Sequence, residues 1–145
     1  MPATAKINPR RLALGGVVAG IILNMITGIA NATLLSGDFQ AWANAMDGHL
    51  HPPTSGTQVF LWVLMCFIDG IVGVWIYVSM RPRYGAGPKT ALLAGIFIWI
   101  IGRLCVAFDM SALGVMPLQM LTGQSILGLI AILPSVLLGA WIYKE

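Results

Sequence analysis

The chain has 145 residues, enough for one domain, and 58% of them are hydrophobic while only 9% carry a charge. Soluble domains carry about 25% charged residues, so a water-soluble globule is excluded. The formal net charge of +3 is spread over scattered basic residues rather than gathered in a patch, which argues against a nucleic-acid partner.

In chain order, the first long apolar run extends over about residues 12–35 and contains no charge. About 20 residues at 1.5 Å rise cross the ~30 Å hydrocarbon core, so the run predicts a spanning helix. Arg10, Arg11 and the small-residue triplet Ala30-Asn31-Ala32 imitate a secretory leader, but the apolar region is too long for one, and a retained helix is expected. The connection from Ser36 to Gly56 is the longest. Asp38 as N-cap, Phe39, Trp42 and Met46 at helical spacing and Gly48 as a stop predict a short helix lying on the outer membrane surface.

A second span is predicted at about 57–80, interrupted by Asp69, and a third at about 90–108, interrupted by Arg103. The turn-rich segment from Arg81 to Lys89 makes these two antiparallel neighbours. The fourth covers about 117–143, with Pro117 in its first turn and Pro134 deep inside, where a kink is expected. Alternating strands are absent, so the expected fold is an all-α membrane protein of four transmembrane helices with a short outer interfacial helix, a single domain over residues 1–145.

Lys6, Arg10, Arg11, Arg81, Arg83, Lys89 and Lys144 all fall on one side of this topology. The positive-inside rule makes that side cytoplasmic, with both termini inside. Asp38, Asp47, His49, His51 and Asp109 fall on the other side. Gly73-Val-Trp-Ile-Tyr77 closes the second span and Gly139-Ala-Trp-Ile-Tyr143 the fourth, while Arg11-Leu-Ala-Leu-Gly-Gly16 and Lys89-Thr-Ala-Leu-Leu-Ala-Gly95 open the first and third. The pattern fits two helical hairpins arranged as a parallel repeat, or convergence on a Trp/Tyr interface belt.

Gly16, Gly20, Asn24, Gly28 and Ala32 form a stripe at intervals of four along the first span, and Ala131, Ser135 and Gly139 form another along the fourth. Such stripes let helix backbones approach one another. Counted from the inner basic residue of each span, Asn24, Asp69 and Arg103 stand about 13, 12 and 14 residues up, or roughly 20, 18 and 21 Å. Asn31, Asp109 and Gln124 stand about 20 residues up, a second polar layer near ~30 Å. Asp69 and Arg103 are therefore expected to pair, with Asn24 as a third member, because a lone charge near the bilayer centre costs about 2.5–3.5 kcal/mol. The pair either fixes helix register or marks a proton or solute route.

Asp47, His49 and His51 are weak candidates for a metal site in the outer loop. With both histidines outside the spans and no C-x-x-C-H sequence, haem attachment is not expected. Cys66 and Cys105 read as small apolar residues. Nucleophile-elbow, phosphate-loop and zincin motifs are missing too, so no cofactor and no enzymatic activity are expected.

The stretches Leu14-Gly-Gly-Val-Val-Ala-Gly20, Arg81-Pro-Arg-Tyr-Gly-Ala-Gly-Pro-Lys-Thr-Ala91 and Gly139-Ala-Trp-Ile-Tyr-Lys-Glu145 resemble a group of small, uncharacterised bacterial four-helix membrane proteins. The resemblance covers the whole chain and implies a bacterial inner membrane location, but no activity. The resulting expectation is an accessory or scaffolding subunit that packs against itself or other membrane subunits in an oligomer or larger complex. An oligomeric small-solute or proton transporter built around Asp69 and Arg103 is the alternative, and a metal-handling protein or enzyme using the outer His loop a third.

Overall fold

A computed structural model describes residues 7–45 and 56–143. Its elements are α1 (Pro9–Thr33), α2 (Ser36–Ala45), α3 (Gly56–Tyr84), α4 (Pro88–Trp99), a π-helical turn (Ile100–Leu104), α5 (Cys105–Ala112) and α6 (Leu118–Ile142). The segment from α4 to α5 is one continuous rod, so four helices of 25 to 29 residues are long and apolar enough to cross a bilayer. Among the described residues there are no strands.

Local chemistry explains where each helix begins and ends. Asn8 caps α1: its side-chain oxygen accepts from the Arg10 and Arg11 amides at 3.1 and 3.2 Å, and Pro9 occupies the first turn. The helix consequently starts ahead of the apolar run. α3 continues through Pro82 to Tyr84, with Arg81 and Arg83 in its last turn, at the negative end of the helix dipole. Pro117 precedes α6 in an extended conformation rather than sitting within its first turn, and α6 stays helical through Pro134. α2 opens at Ser36, directly after α1, because the Phe39 amide bonds the Leu35 carbonyl at 3.0 Å. Asp38 therefore lies inside the first turn instead of capping it.

The four long helices form a ring in the order α1, α3, α4, α6, and α3 and α6 also touch across its centre. The core between them is made from small and branched residues: Ala19, Leu23, Val74, Ala94, Ala131 and Val136. Glycine decides how closely the rods approach. A Cβ on Gly70 would stand 2.5 Å from the Gly20 amide nitrogen and 2.8 Å from the Gly16 carbonyl oxygen. Gly15 and Gly139 are reciprocal, each leaving room for the other's carbonyl oxygen at 2.6 Å from where a Cβ would be. The lower part of the α1 stripe is thus the seam with α3, and Gly139 of the α6 stripe belongs to the seam with α1.

The upper part of the α1 stripe is different. A Cβ on Gly28 would meet nothing within 4 Å, because Gly28 is on an exposed face of α1. The two GxWxY segments occupy alike settings: Gly73 and Gly139 face neighbouring helices, Trp75 and Trp141 point outward, and Tyr77 and Tyr143 are buried. At that end the Asn8 amide donates to the Tyr143 hydroxyl at 3.1 Å, which brings the start of α1 and the end of α6 together. At the far end Trp42 of α2 donates its indole N–H to the Val115 carbonyl at 3.0 Å, anchoring α2 to the α5–α6 turn.

Gly70→Ala is expected to destabilise the bundle by about 1–3 kcal/mol, since the added methyl meets rigid backbone. Gly28→Ala, with open space around it, is expected to leave stability unchanged or slightly raised. Unfolding of both variants in mild detergent measures the difference.

Candidate functional site

The polar centre of the bundle begins with the π-helical turn. The Cys105 amide bonds the Ile100 carbonyl across five residues, so one residue more than an α-helix would hold is accommodated in this turn. The insertion shifts the helix face and aims Arg103 into the junction of α3, the π turn and α6. Its guanidinium Nη2 lies 3.3 Å from Asp69 Oδ2 on α3. The two side chains are 31% and 17% exposed, so they are shielded but not sealed. Gly128 on α6 makes room for the stem: a Cβ there would stand 3.1 Å from Arg103 Cγ. Any larger residue at 128 would push on the arginine.

Immediately before the π turn, Trp99 donates its indole N–H to the Ser125 carbonyl at 2.8 Å, fixing the third span against α6. Beyond it, Gly102, Arg103, Val106, Gln124 and Ser125 contribute to a cavity of about 250 Å³. Arg103 Nε and Gln124 Nε2 are both buried there with no hydrogen-bond acceptor. Buried donors without partners are costly, about 1–3 kcal/mol each, and cluster where a protein accepts a ligand, ion or water.

Asn24 stands apart from the pair. Its amide donates to the Gly20 carbonyl at 2.9 Å and to the Val63 carbonyl of α3 at 3.3 Å. The offset has a packing cause: Gly70 seats against Gly16 and Gly20, which sets Asp69 about one turn below Asn24. Asn24 instead belongs to a groove of about 670 Å³ lined by α1 and α3, with Thr27, Gly28, Asn31, Trp62 and Phe67. Within that groove Asn31 donates to the Thr27 carbonyl at 2.7 Å. The Thr27 hydroxyl donates to the Leu23 carbonyl at 2.7 Å and touches Cys66 Sγ at 3.8 Å. Asn31, Asp109 and Gln124 are not brought together: Asn31 lines the groove, Gln124 lines the cavity beside Arg103, and Asp109 is exposed on α5.

The candidate ligands Asp47, His49 and His51 lie outside the described residues. Among the described residues no group of three His, Cys, Asp or Glu side chains is placed to hold a metal ion. The contributions of Gly128 and Trp99 escape a reading of the sequence, because a glycine and a tryptophan within apolar runs resemble their neighbours. Only the arginine directly after Gly102, where the helix would otherwise be unbroken, hints at a local irregularity.

Four long apolar helices, small-residue seams and a shielded ion pair define this chain as a four-helix integral membrane protein. No family model matches it, and comparison with curated proteins and with solved structures finds no match either.

Asp69→Leu leaves Arg103 without its counter-ion and is expected to destabilise the bundle by about 3–5 kcal/mol. The double variant Asp69→Leu with Arg103→Met removes both charges and is expected to recover most of that loss. Membrane abundance together with detergent unfolding of the three proteins checks the order.

Proposed function

We propose that this protein is a non-enzymatic accessory or scaffolding subunit, in a bacterial inner membrane with both termini cytoplasmic, that packs against other membrane helices in an oligomer or larger assembly. The groove along the outer half of the α1–α3 seam carries the reading. There the glycine stripe that holds α1 against α3 further down continues past its own partner, leaving Gly28 open at the floor of a 670 Å³ groove. Asn24 and Asn31 line the same groove, and their amide oxygens accept nothing from within the chain among the described residues. Small residues flanked by amides are what membrane helices use to associate. The tightly filled centre of the bundle argues in the same direction, since a single copy offers no lumen along its axis. The basic residues at one end, Arg10, Arg11, Arg81, Arg83 and Lys89, support the proposed orientation.

Gly28→Leu puts an apolar side chain into this groove from a position where an added Cβ meets nothing within 4 Å. Cross-linking in native membranes, followed by mild-detergent purification, is expected to give a higher-mass species for the unaltered protein and to lose it in Gly28→Leu at equal abundance. A higher-mass species that survives the substitution, or none in either case, contradicts the proposal.

A second reading, an oligomeric proton or small-solute transporter using Asp69 and Arg103, is favoured by the unpartnered N–H groups facing the 250 Å³ cavity. On that reading Asp69→Asn abolishes flux into proteoliposomes at unchanged abundance. Equal flux in both proteins removes it.

A further inference from the structure

At the opposite end of the third span from the ion pair, the turn between α3 and α4 is built around two residues that only glycine accommodates easily, Gly85 at φ 83° and Gly87 at φ 152°. Thr90 at the start of α4 folds back on this turn, its hydroxyl donating to the Gly85 carbonyl at 2.8 Å. The turn so held forms the rim of a cavity of about 360 Å³ between α3, α4 and α6. Ala86 and Gly87 line it from the turn, Arg81 and Tyr77 from α3, and Leu137 and Trp141 from α6.

The polar and apolar parts of this cavity have a definite order. The guanidinium carbon of Arg81 lies 5.9 Å from the Tyr77 ring centre and 5.4 Å from that of Tyr143. Both rings present a face to the cation, and none of its five N–H groups donates to an acceptor among the described residues. The acids among the described residues are Asp38, Asp69 and Asp109, and none lines this cavity. Arg83 and Lys89 flank its rim in sequence and add positive charge. Leu137 lies one turn deeper along α6 than Trp141, whose side chain is 61% exposed, so the wall runs from an interfacial tryptophan down into the hydrocarbon layer.

A cationic head over an apolar wall, at a helix end beside an interfacial tryptophan, matches one kind of molecule. We infer that this cavity binds an anionic phospholipid, with the phosphodiester on the Arg81 guanidinium and an acyl chain along Leu137 and Trp141. The planar guanidinium offers paired N–H groups to phosphate oxygens, and its contact with two tyrosine rings restricts the side chain before a lipid arrives. The surplus of positive charge selects a lipid of net negative charge over a zwitterionic one. A free phosphate would gain the same hydrogen bonds but would leave the apolar wall uncovered.

The test uses the full chain purified in mild detergent, with its unfolding temperature followed as phosphatidylglycerol is added. Phosphatidylglycerol is expected to raise the unfolding temperature saturably, and neither phosphatidylcholine nor inorganic phosphate to reproduce the effect. Arg81→Gln is expected to raise the half-saturating lipid concentration about fivefold, the factor that one basic residue near an anionic surface supplies. Ala86→Trp adds a bulky ring to the cavity lining while keeping every charge, and is expected to abolish the lipid effect without changing the unfolding temperature in detergent alone. Arg83→Gln, on the exposed rim, is expected to leave the response in place. The inference is overturned if phosphatidylglycerol gives no rise, if phosphatidylcholine or inorganic phosphate acts equally well, or if Ala86→Trp responds as the unaltered protein does. Should Arg81→Gln fail to fold, Ala86→Trp still decides.

Discussion

Inside a hydrocarbon layer, burying apolar side chains between helices gains nothing, because lipid tails are as apolar as leucine. Association must come from close contact, and in this chain the contact is backbone against backbone. Gly16, Gly20 and Gly70 let α1 and α3 touch, and Gly15 and Gly139 do the same for α1 and α6. Everything else about the bundle is positioned by these seams. They set the height of Asp69 relative to α1, they determine which face of α6 meets the third span, and by ending below Gly28 they create the groove above it. Side chains of the core then need only fill a narrow space, which explains why Ala19, Ala94 and Ala131 are fully buried.

The ion pair solves a different problem. α4 has a high mean hydropathy and few shapes that would distinguish one rotation about its axis from another. A charge with a single available counter-ion supplies that distinction. Asp69 and Arg103 meet because the π turn rotates the arginine toward α3, while Gly128 leaves space for the stem to pass. The buried Nε of Arg103 is then the unsatisfied remainder of an arrangement that otherwise locks the third span against two neighbours.

The spans were readable from hydropathy and the ends of loops, since membrane thickness admits few alternatives to a helix of this length. The meeting of Asp69 with Arg103 also follows from charge sign and distance to the basic end, because a bilayer is a ruler. That ruler fails where helices are offset along their axes, as glycine contact offsets α1 against α3, and Asn24 consequently bonds Val63 rather than the pair. The π turn left no mark that hydropathy detects: an extra residue in a helix changes which way side chains face but not how apolar the segment is. The small-residue stripe on α1 reads as uniform in the sequence, whereas only its lower part is used within the chain.

One consequence concerns α5. It lies between the π turn and Gly114, whose φ of 68° ends it, and none of its residues is buried. Its Val106, Ala107 and Met110 line a cavity together with the buried Leu121 and Ser125, whereas α4 before it is held by Gly95 against Leu133 and by Trp99 against Ser125. The third span is therefore a fixed post carrying a short lever, with Arg103 at the fulcrum and Trp42 of α2 restraining the α5–α6 turn at the lever's tip. Trp42 of α2 and Arg103 of the π turn thus bracket α5, one at each end.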